Sequence, residues 1–292
     1  TFYYPIQIKL KSLQNNSPPT LKNILFTDIE IPKKMKDNLI FHSNQICNHN
    51  FNFLGTGMKN WGDPINWRFD VKSKHQWGNK FYTDYSTSET MPGKGIDIKI
   101  PWEINRLQHI VTLGQAWVST KDNKYPQELC KQLNHWIESN RFCNGINWTN
   151  TMEVGIRATN IIIALGLIRE SKEYRENIEQ YINLVRQHGL YIENNLEIGF
   201  KNNEIIAGNH YLANISSLAI IGMSCSHIPE SKRWLKTGIF SLEKEINRMV
   251  LKDGFFFESS TSYHRLAVEL FLYPLIFGEK LGVEFSKSYY NK

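Results

Sequence analysis

The chain has 292 residues, 41% of them apolar and 13% aromatic, which is enough for the core of one large domain or two and excludes overall disorder. Its 34 Lys and Arg against 28 Asp and Glu give a formal charge of +6, spread along the chain without basic blocks. That charge favours an acidic partner only weakly, polysaccharide as readily as nucleic acid, and the absence of a nucleic-acid-binding motif ranks nucleic acid last.

Residues 1–100 are expected to form an irregular N-terminal segment, with two adjacent prolines, an Asn-rich stretch near residue 50 and scattered aromatics. Within it only residues 32–47 suggest a helix. From Pro101 the pattern changes to successive helical periods separated by short breaks. Ser171 and Thr261 are candidate N-caps. Helices are predicted over residues 101–119, 125–142, 151–169, 171–195, 208–225, 229–250 and 261–281.

The expected fold class is all-α. Long helices joined by short loops are typical of antiparallel neighbours, and residues 152–168 are apolar almost all round, which indicates a helix buried between others. Residues 101–292 are therefore predicted to form a layered helical domain such as an (α/α) toroid, with residues 1–100 packed on it. An α-solenoid is the main alternative, but no fixed-period repeat supports it.

Membrane, metal and targeting signals are few. The longest apolar run, residues 161–168, is far shorter than the roughly 20 residues of a membrane span. The four cysteines form no CxxC pair and lack zinc-site spacing, so we read them as buried thiols, leave a disulfide open and predict no metal. The chain begins at Thr1 with neither an initiator Met nor a signal-like segment, which suggests a processed form or a fragment and leaves the localisation unknown.

The first candidate functional segment is Ala207 to Tyr211, in which Asn209 and His210 precede the apolar run 212–223. In the first turn of a helix, the backbone N–H groups and the helix dipole favour negative charge, so the Asn209 amide can hold a carboxylate there. The alternative is structural. Asn209 would cap the helix, since Asn is a preferred cap, and His210 would pack in the wall.

The second candidate segment is Asp253 to His264, in which the polar run 259–262 should initiate the last long helix. Tyr263 would then lie near a helix N-terminus with His264 and Arg265 beside it, which stabilises the phenolate and makes the tyrosine a better base. The alternative is a tyrosine whose ring belongs to the core and whose hydroxyl meets a backbone group.

A polar stripe of Glu153, Arg157 and Asn160 lies on the otherwise apolar helix 151–169. Burying a charge is costly unless it is paired. Glu153 and Arg157 are therefore expected to meet each other or a ligand, with structural pairing favoured.

Two further groups carry the same structural bias. One is a cluster at the start of helix 101–119, formed by Trp102, Glu103 and Arg106. The other is a set of tryptophans that could stack on sugar rings, although aromatic residues more often serve packing: Trp61, Trp67, Trp77 and Trp148.

Four stretches of this sequence follow one another in a characteristic order, namely Pro101 to Arg106, Asn147 to Ala158, Gly208 to His210 and Glu258 to His264. In order and rough spacing they resemble the heparinase II/III-type polysaccharide lyases across about residues 50–281. Each stretch is a weak motif alone, and the four in register make the match specific. The resemblance implies an α/α toroid, here incomplete, which in the family precedes a C-terminal β-sandwich.

The resemblance also implies catalytic roles. In the family, an Asn matching Asn209 binds the uronate carboxylate, a Tyr matching Tyr263 handles the proton, and the His matching His210 assists in some members. Carried over, Asn209 would neutralise the C6 carboxylate, while Tyr263 would abstract the C5 proton and protonate the departing O4. Donors aimed at the developing carboxylate charge lower the barrier, and a positioned Tyr adds about 10²–10⁴-fold.

The same resemblance frames the remaining expectations. No cofactor is required, the partner would be an acidic polysaccharide, and a periplasmic or secreted location would be typical. A further catalytic His of the family comes from the β-sandwich, so a chain ending at Lys292 would lack it. Supporting contacts to substrate are assigned to Arg157, Glu153, His264 and Trp148.

Two other functions stay open at this level. A glycoside hydrolase on a similar toroid needs two carboxylates about 5–10 Å apart, for which Glu153 and Glu258 are candidates. A non-catalytic protein that binds acidic glycans or assists polysaccharide assembly would keep the groove without turnover. The lyase is favoured because Asn209 and Tyr263 lie in the matching motifs.

Overall fold

The computed structural model describes Leu21 and residues 32–201 and 204–292. The first part of the predicted irregular segment, residues 1–31 except Leu21, therefore lies outside the described residues. The structure is 63% helical, which confirms the all-α fold class. In the described ranges the strands pair as two short antiparallel hairpins. These are Asn50–Phe51 (β1) with Lys59–Asn60 (β2), and Gly199–Lys201 (β3) with Glu204–Ile206 (β4).

The helices follow the predicted order closely. Two 3-10 turns, Tyr82–Asp84 and Ile146–Trp148, lie between them. The helices are Lys33–Cys47 (α1), Thr87–Thr90 (α2), Lys99–Asn105 (α3), Gln108–Thr120 (α4), Lys124–Ser139 (α5), Thr151–Leu167 (α6), Lys172–Asn194 (α7), Asn209–Ser224 (α8), Ser231–Met249 (α9), Thr261–Leu281 (α10) and Lys287–Tyr290 (α11).

Two local predictions need correction. The single helix predicted over 101–119 is wrong, because the chain breaks between α3 and α4 at Leu107, whose φ of 57° is left-handed. Ser171 caps α7 as predicted, but α10 is capped by Ser260, whose side chain accepts from the Tyr263 N–H, and Thr261 is the first helical residue.

Alternate helices form two layers. Along one layer α4 contacts α6, α6 contacts α8, and α8 contacts α10, while α5 contacts α7 in the other. The helix α8 is buried along almost its whole length, because it packs against α6, α7, α9 and α10 at once. This central position is why apolar and small residues occupy nearly every side of the helix, and it fixes the first turn of α8 relative to the neighbouring helices.

The helices α8 and α9 approach each other to backbone contact. A Cβ added at Gly222 would lie 2.6 Å from the Leu235 nitrogen, and one added at Gly238 would lie 2.6 Å from the Ala219 nitrogen. Each helix therefore presents a glycine to the backbone of the other, which brings the two axes closer than larger residues would allow.

The segment before α3 shares the hydrophobic core of the helices. Buried side chains from Ile46 to Val71 join the same cluster as Leu113 and Leu165. A domain boundary near residue 100 stays a prediction. In the described part of the chain all four cysteines are free, and the expectation that they are buried is confirmed for Cys130 and Cys225 but wrong for the half-buried Cys47 and Cys143. No helix of the described residues is long and apolar enough to cross a membrane.

Candidate active site

The first turn of α8 is bound by a carboxylate from the loop before α10. Gly208 is the N-cap, and the backbone N–H of Asn209 donates to Glu258 Oε1 at 2.8 Å. The Asn209 side-chain Nδ2 donates to Glu258 Oε2 at 2.7 Å. Glu258 thus fills the positive end of α8 and fixes the Asn209 amide.

This geometry depends on glycine at position 208. A Cβ there would lie 2.5 Å from Glu258 Oε1, too close for the carboxylate to stay. The structural alternative for Asn209 as a helix cap is excluded, since the cap is Gly208 and makes no side-chain bond. Asn209 is 8% exposed, and its Oδ1 is buried without a hydrogen-bond partner in the described structure.

His210 points outward and is held from one side. Its Nδ1 lies 2.8 Å from Glu197 Oε1, in the loop after α7, and its side chain is 46% exposed. The hydrogen bond that His210 donates to Glu197 is the main reason that the pKa of His210 is raised, with the charges of Glu153 and Glu258 acting in the same direction and burial opposing them. The described contacts leave its Nε2 unengaged, so this atom is available to a ligand.

Glu197 is held by two hydrogen bonds to the side-chain amide of Asn214 on α8. Asn214 Nδ2 donates to Glu197 Oε2 at 3.1 Å, and the Glu197 backbone N–H donates to Asn214 Oδ1 at 2.8 Å. Asn214 is fully buried and lies one turn beyond His210. Neither Glu197 nor Asn214 was found from the sequence. The i, i+4 spacing of His210 and Asn214 on α8 was the only available signal.

Tyr263 lies in the first turn of α10, the helix that packs beside α8, and is 46% exposed. The alternative of a tyrosine ring buried in the core is therefore wrong. Five residues before it, Glu258 contacts Asn209, so one short loop connects both candidate segments.

His264 faces elsewhere. Its ring stacks on Phe255 with centroids 4.4 Å apart, and its Nδ1 accepts from the Phe256 N–H at 3.2 Å. It lines an apolar cavity of about 190 Å³ between α9, α10 and α11, together with Phe256 and Phe271. The structure does not bring His264 together with His210, so substrate contact by His264 loses its support.

Glu153 is paired, but with a different cation from the one expected. Arg106 donates through Nε and a terminal nitrogen to the two Glu153 oxygens at 2.7 and 2.8 Å, and through its other terminal nitrogen to Glu103 at 2.8 Å. Glu153 is 4% exposed. The expected pairing of Glu153 with Arg157 is wrong, whereas the structural interpretation of the Glu103 and Arg106 cluster fits these contacts.

Arg157 is fully buried. Its Nε donates to His188 at 2.9 Å, a terminal nitrogen donates to the Asn147 carbonyl at 2.9 Å, and its guanidinium lies over the rings of Trp136 and Trp148. Burial lowers its pKa to about 9. Arg157 therefore belongs to the core and not to a substrate surface.

The sugar-stacking tryptophans are also core residues. None is more than 3% exposed, so no ring face is open to a sugar: Trp61, Trp67, Trp77 and Trp148. The substrate role of Trp148 is corrected for this reason, and packing, the more frequent role of aromatic side chains, accounts for all four.

Comparison with known proteins finds curated relatives that are described as heparin-sulfate lyases. Curated relatives are a heparin-sulfate lyase of Pedobacter heparinus, 24% identical over 269 residues covering 89% of this chain and 35% of that protein, and one of Bacteroides stercoris, 24% identical over 254 residues covering 79% and 33%. The chain spans about a third of the length of these relatives.

Solved structures agree on the fold. The heparan sulfate lyase HepC of Pedobacter heparinus superimposes with a TM-score of 0.65 at 22% identity, covering 91% of this chain and 38% of that one. A second structure, of heparinase III, gives a TM-score of 0.64 at 16% identity, covering 96% and 40%. These similarities confirm the α/α toroid. The family model described as the heparinase II/III N-terminus matches residues 19–292, and the chain therefore belongs to the heparinase II/III family.

Proposed function

We propose that this chain forms the toroid part of a lyase that cleaves a uronic-acid-containing polysaccharide by β-elimination. Family membership and the chemistry of the groups at the first turns of α8 and α10 support this function. Because the chain spans only about a third of the related lyases, the activity, the substrate and the partners of the whole protein belong to the same proposal.

The observation that carries the proposal is the exposed His210 beside Asn209 at the N-terminus of α8. Removing the C5 proton concentrates negative charge in the neighbouring carboxyl group, so donors aimed at that group lower the barrier. His210 offers Nε2. The Asn209 amide nitrogen has a second N–H besides the one given to Glu258.

Tyr263 is proposed as base and acid. Its phenolate would take the C5 proton while the C5–H electrons form the C4–C5 double bond and the C4–O4 bond breaks. The resulting phenol would then return the proton to the departing O4. Its position in the first turn of α10 and its half-exposed side chain leave the tyrosine accessible to a polymer.

The hydrolase alternative has less support. Both of its candidate carboxylates are already engaged, Glu153 by Arg106 and Glu258 by Asn209. Neither is left free to protonate a glycosidic oxygen or to activate water, which are the two tasks of such a pair.

The ultraviolet absorbance of an unsaturated uronate product tests the proposal. The full chain would be incubated with heparan sulfate, hyaluronan, alginate and a bacterial acidic exopolysaccharide. We expect absorbance to rise with at least one polymer, and Tyr263→Phe to slow the rise by about 10²–10⁴-fold. Tyr290→Phe is the matched control, because Tyr290 is similarly exposed, at 50% against 46%, and lies on α11.

Other outcomes would contradict it. A new reducing end without a double bond would indicate hydrolysis. Binding of an acidic polymer that stays intact and is insensitive to Tyr263→Phe would indicate a non-catalytic glycan-binding protein. Equal loss of activity in Tyr263→Phe and Tyr290→Phe would remove Tyr263 from the chemistry.

A further inference from the structure

The position of His210 in the fold disfavours its charged form. It lies in the first turn of α8, where the helix dipole presents positive charge and disfavours an imidazolium. Its side chain is also 46% exposed, so contact with solvent alone does not favour the imidazolium over the neutral ring. A charged His210 at this position therefore needs a nearby carboxylate with fixed geometry.

Glu197 provides that carboxylate, and Asn214 fixes it. The 2.8 Å contact from Glu197 Oε1 to His210 Nδ1 is supported by the two hydrogen bonds between Glu197 and the fully buried Asn214 amide. The amide binds both the backbone and the side chain of Glu197. Three groups thus form a chain from the interior of α8 through the loop after α7 to the surface.

The arrangement determines what His210 can do. An Nδ1–H directed at Glu197 leaves Nε2 as the outward atom, and protonation makes that atom a charged donor. Two other carboxylates, Glu153 on α6 and Glu258 before α10, also favour the imidazolium. A cation on α9, Arg248, donates its hydrogen bonds to Glu245 and to the Ala207 carbonyl.

We propose that Glu197, held by Asn214, is a positioning residue that keeps His210 as a cationic Nε2–H donor to the carboxylate of an acidic sugar. The inference rests on the proposed function for the identity of the ligand. The pH dependence of the donor follows from the direction in which the pKa of His210 is moved. Glu197 raises the pKa of His210, so the donor is present at low pH and is lost as pH rises through that raised value.

The test is an NMR titration of ring-labelled His210 in the full chain, with and without glucuronate as the probe. Glu197→Gln keeps the shape and the Asn214 contact but removes the charge. We expect the titration midpoint of His210 to fall, because the charge that favours the imidazolium is gone. At a pH above both midpoints, the apparent affinity for glucuronate should fall in proportion to the protonated fraction, about tenfold for each pH unit that separates the two midpoints.

Two variants serve as controls. Glu193→Gln removes a carboxylate of the same side-chain exposure, 26%, that is paired with Arg233, and should leave the midpoint unchanged. Glu197→Asp retains the charge on a shorter stem and should give a midpoint between those of the parent chain and Glu197→Gln.

The readouts separate this inference from the proposed function. A His210 midpoint equal in the parent chain and Glu197→Gln overturns the positioning role, whatever the lyase activity. A midpoint that falls without any change in glucuronate affinity overturns the ligand assignment. If both fall but no polymer yields an unsaturated product, the positioning role stands and the lyase proposal fails.

Discussion

The role of a polar side chain in this protein depends more on its partners from other elements than on its spacing from polar residues of the same helix. Glu153 and Arg157 are one turn apart on α6, yet Glu153 is bound by Arg106, the C-cap of α3, and Arg157 turns inward to His188. Burial and the Arg157 charge lower the pKa of His188, which keeps it a neutral acceptor for that guanidinium. The buried cation is stabilised by carbonyls and indole rings without a carboxylate.

At the residue scale, Gly208→Ala is expected to displace Glu258 from the first turn of α8. The backbone of Gly208, with φ of −124°, is open to alanine, so the cost comes from the 2.5 Å approach to Glu258 Oε1. Losing the charged hydrogen bonds to Asn209 should lower the free energy of unfolding by about 1–3 kcal/mol, measured in urea.

A double-mutant cycle identifies the cause of this loss. In a Glu258→Ala background the clash no longer exists, so Gly208→Ala should cost less than about 0.5 kcal/mol. Equal costs in the two backgrounds would mean that alanine disturbs something other than the Glu258 contact.

At the scale of elements, the pair α8 and α9 is set by glycines. Gly222 and Gly238 let each helix touch the backbone of the other near the C-terminal end of α8. Backbone atoms cannot move aside as a flexible side chain can. The spacing between these two helices is therefore less tolerant of added atoms than an ordinary contact between side chains.

Gly238→Ala tests this contact. Alanine gains about 1 kcal/mol of helix propensity over glycine, but its Cβ would lie 2.6 Å from the Ala219 nitrogen. We expect overpacking to prevail and the free energy of unfolding to fall by about 1–3 kcal/mol in urea denaturation.

The control is Gly78→Ala, where an added Cβ meets nothing within 4 Å. This change should be neutral or stabilise by up to about 1 kcal/mol. A Gly238→Ala protein as stable as Gly78→Ala would show that the helices separate at little cost.

At the scale of the whole molecule, hydrophobic periodicity was sufficient for the order of the long helices and for the all-α class. It failed at Leu107, where a single left-handed residue divides α3 from α4, because a periodic pattern continues across such a break. It also could not distinguish tryptophans at a surface from tryptophans in the core, since both are apolar in the sequence. The domain boundary near residue 100 stays a prediction.

The candidate site was predictable only in part. Asn209, His210 and Tyr263 stand at helix starts, where caps, polarity and the following apolar run give a local signal, and their catalytic roles stay proposals. Glu197 and Glu258 come from loops, and their contacts with α8 are made by the fold. No local pattern predicts which loop carboxylate will reach which helix terminus.

The buried indoles have a spectroscopic consequence. Seven of the eight tryptophans are buried, and Trp102 at the start of α3 is only partly so. Tryptophan fluorescence from this chain should therefore change when water reaches the core. It is a sensitive measure of unfolding for the variants above, whereas a sugar that binds at α8 leaves nearly all the indole rings in unchanged surroundings.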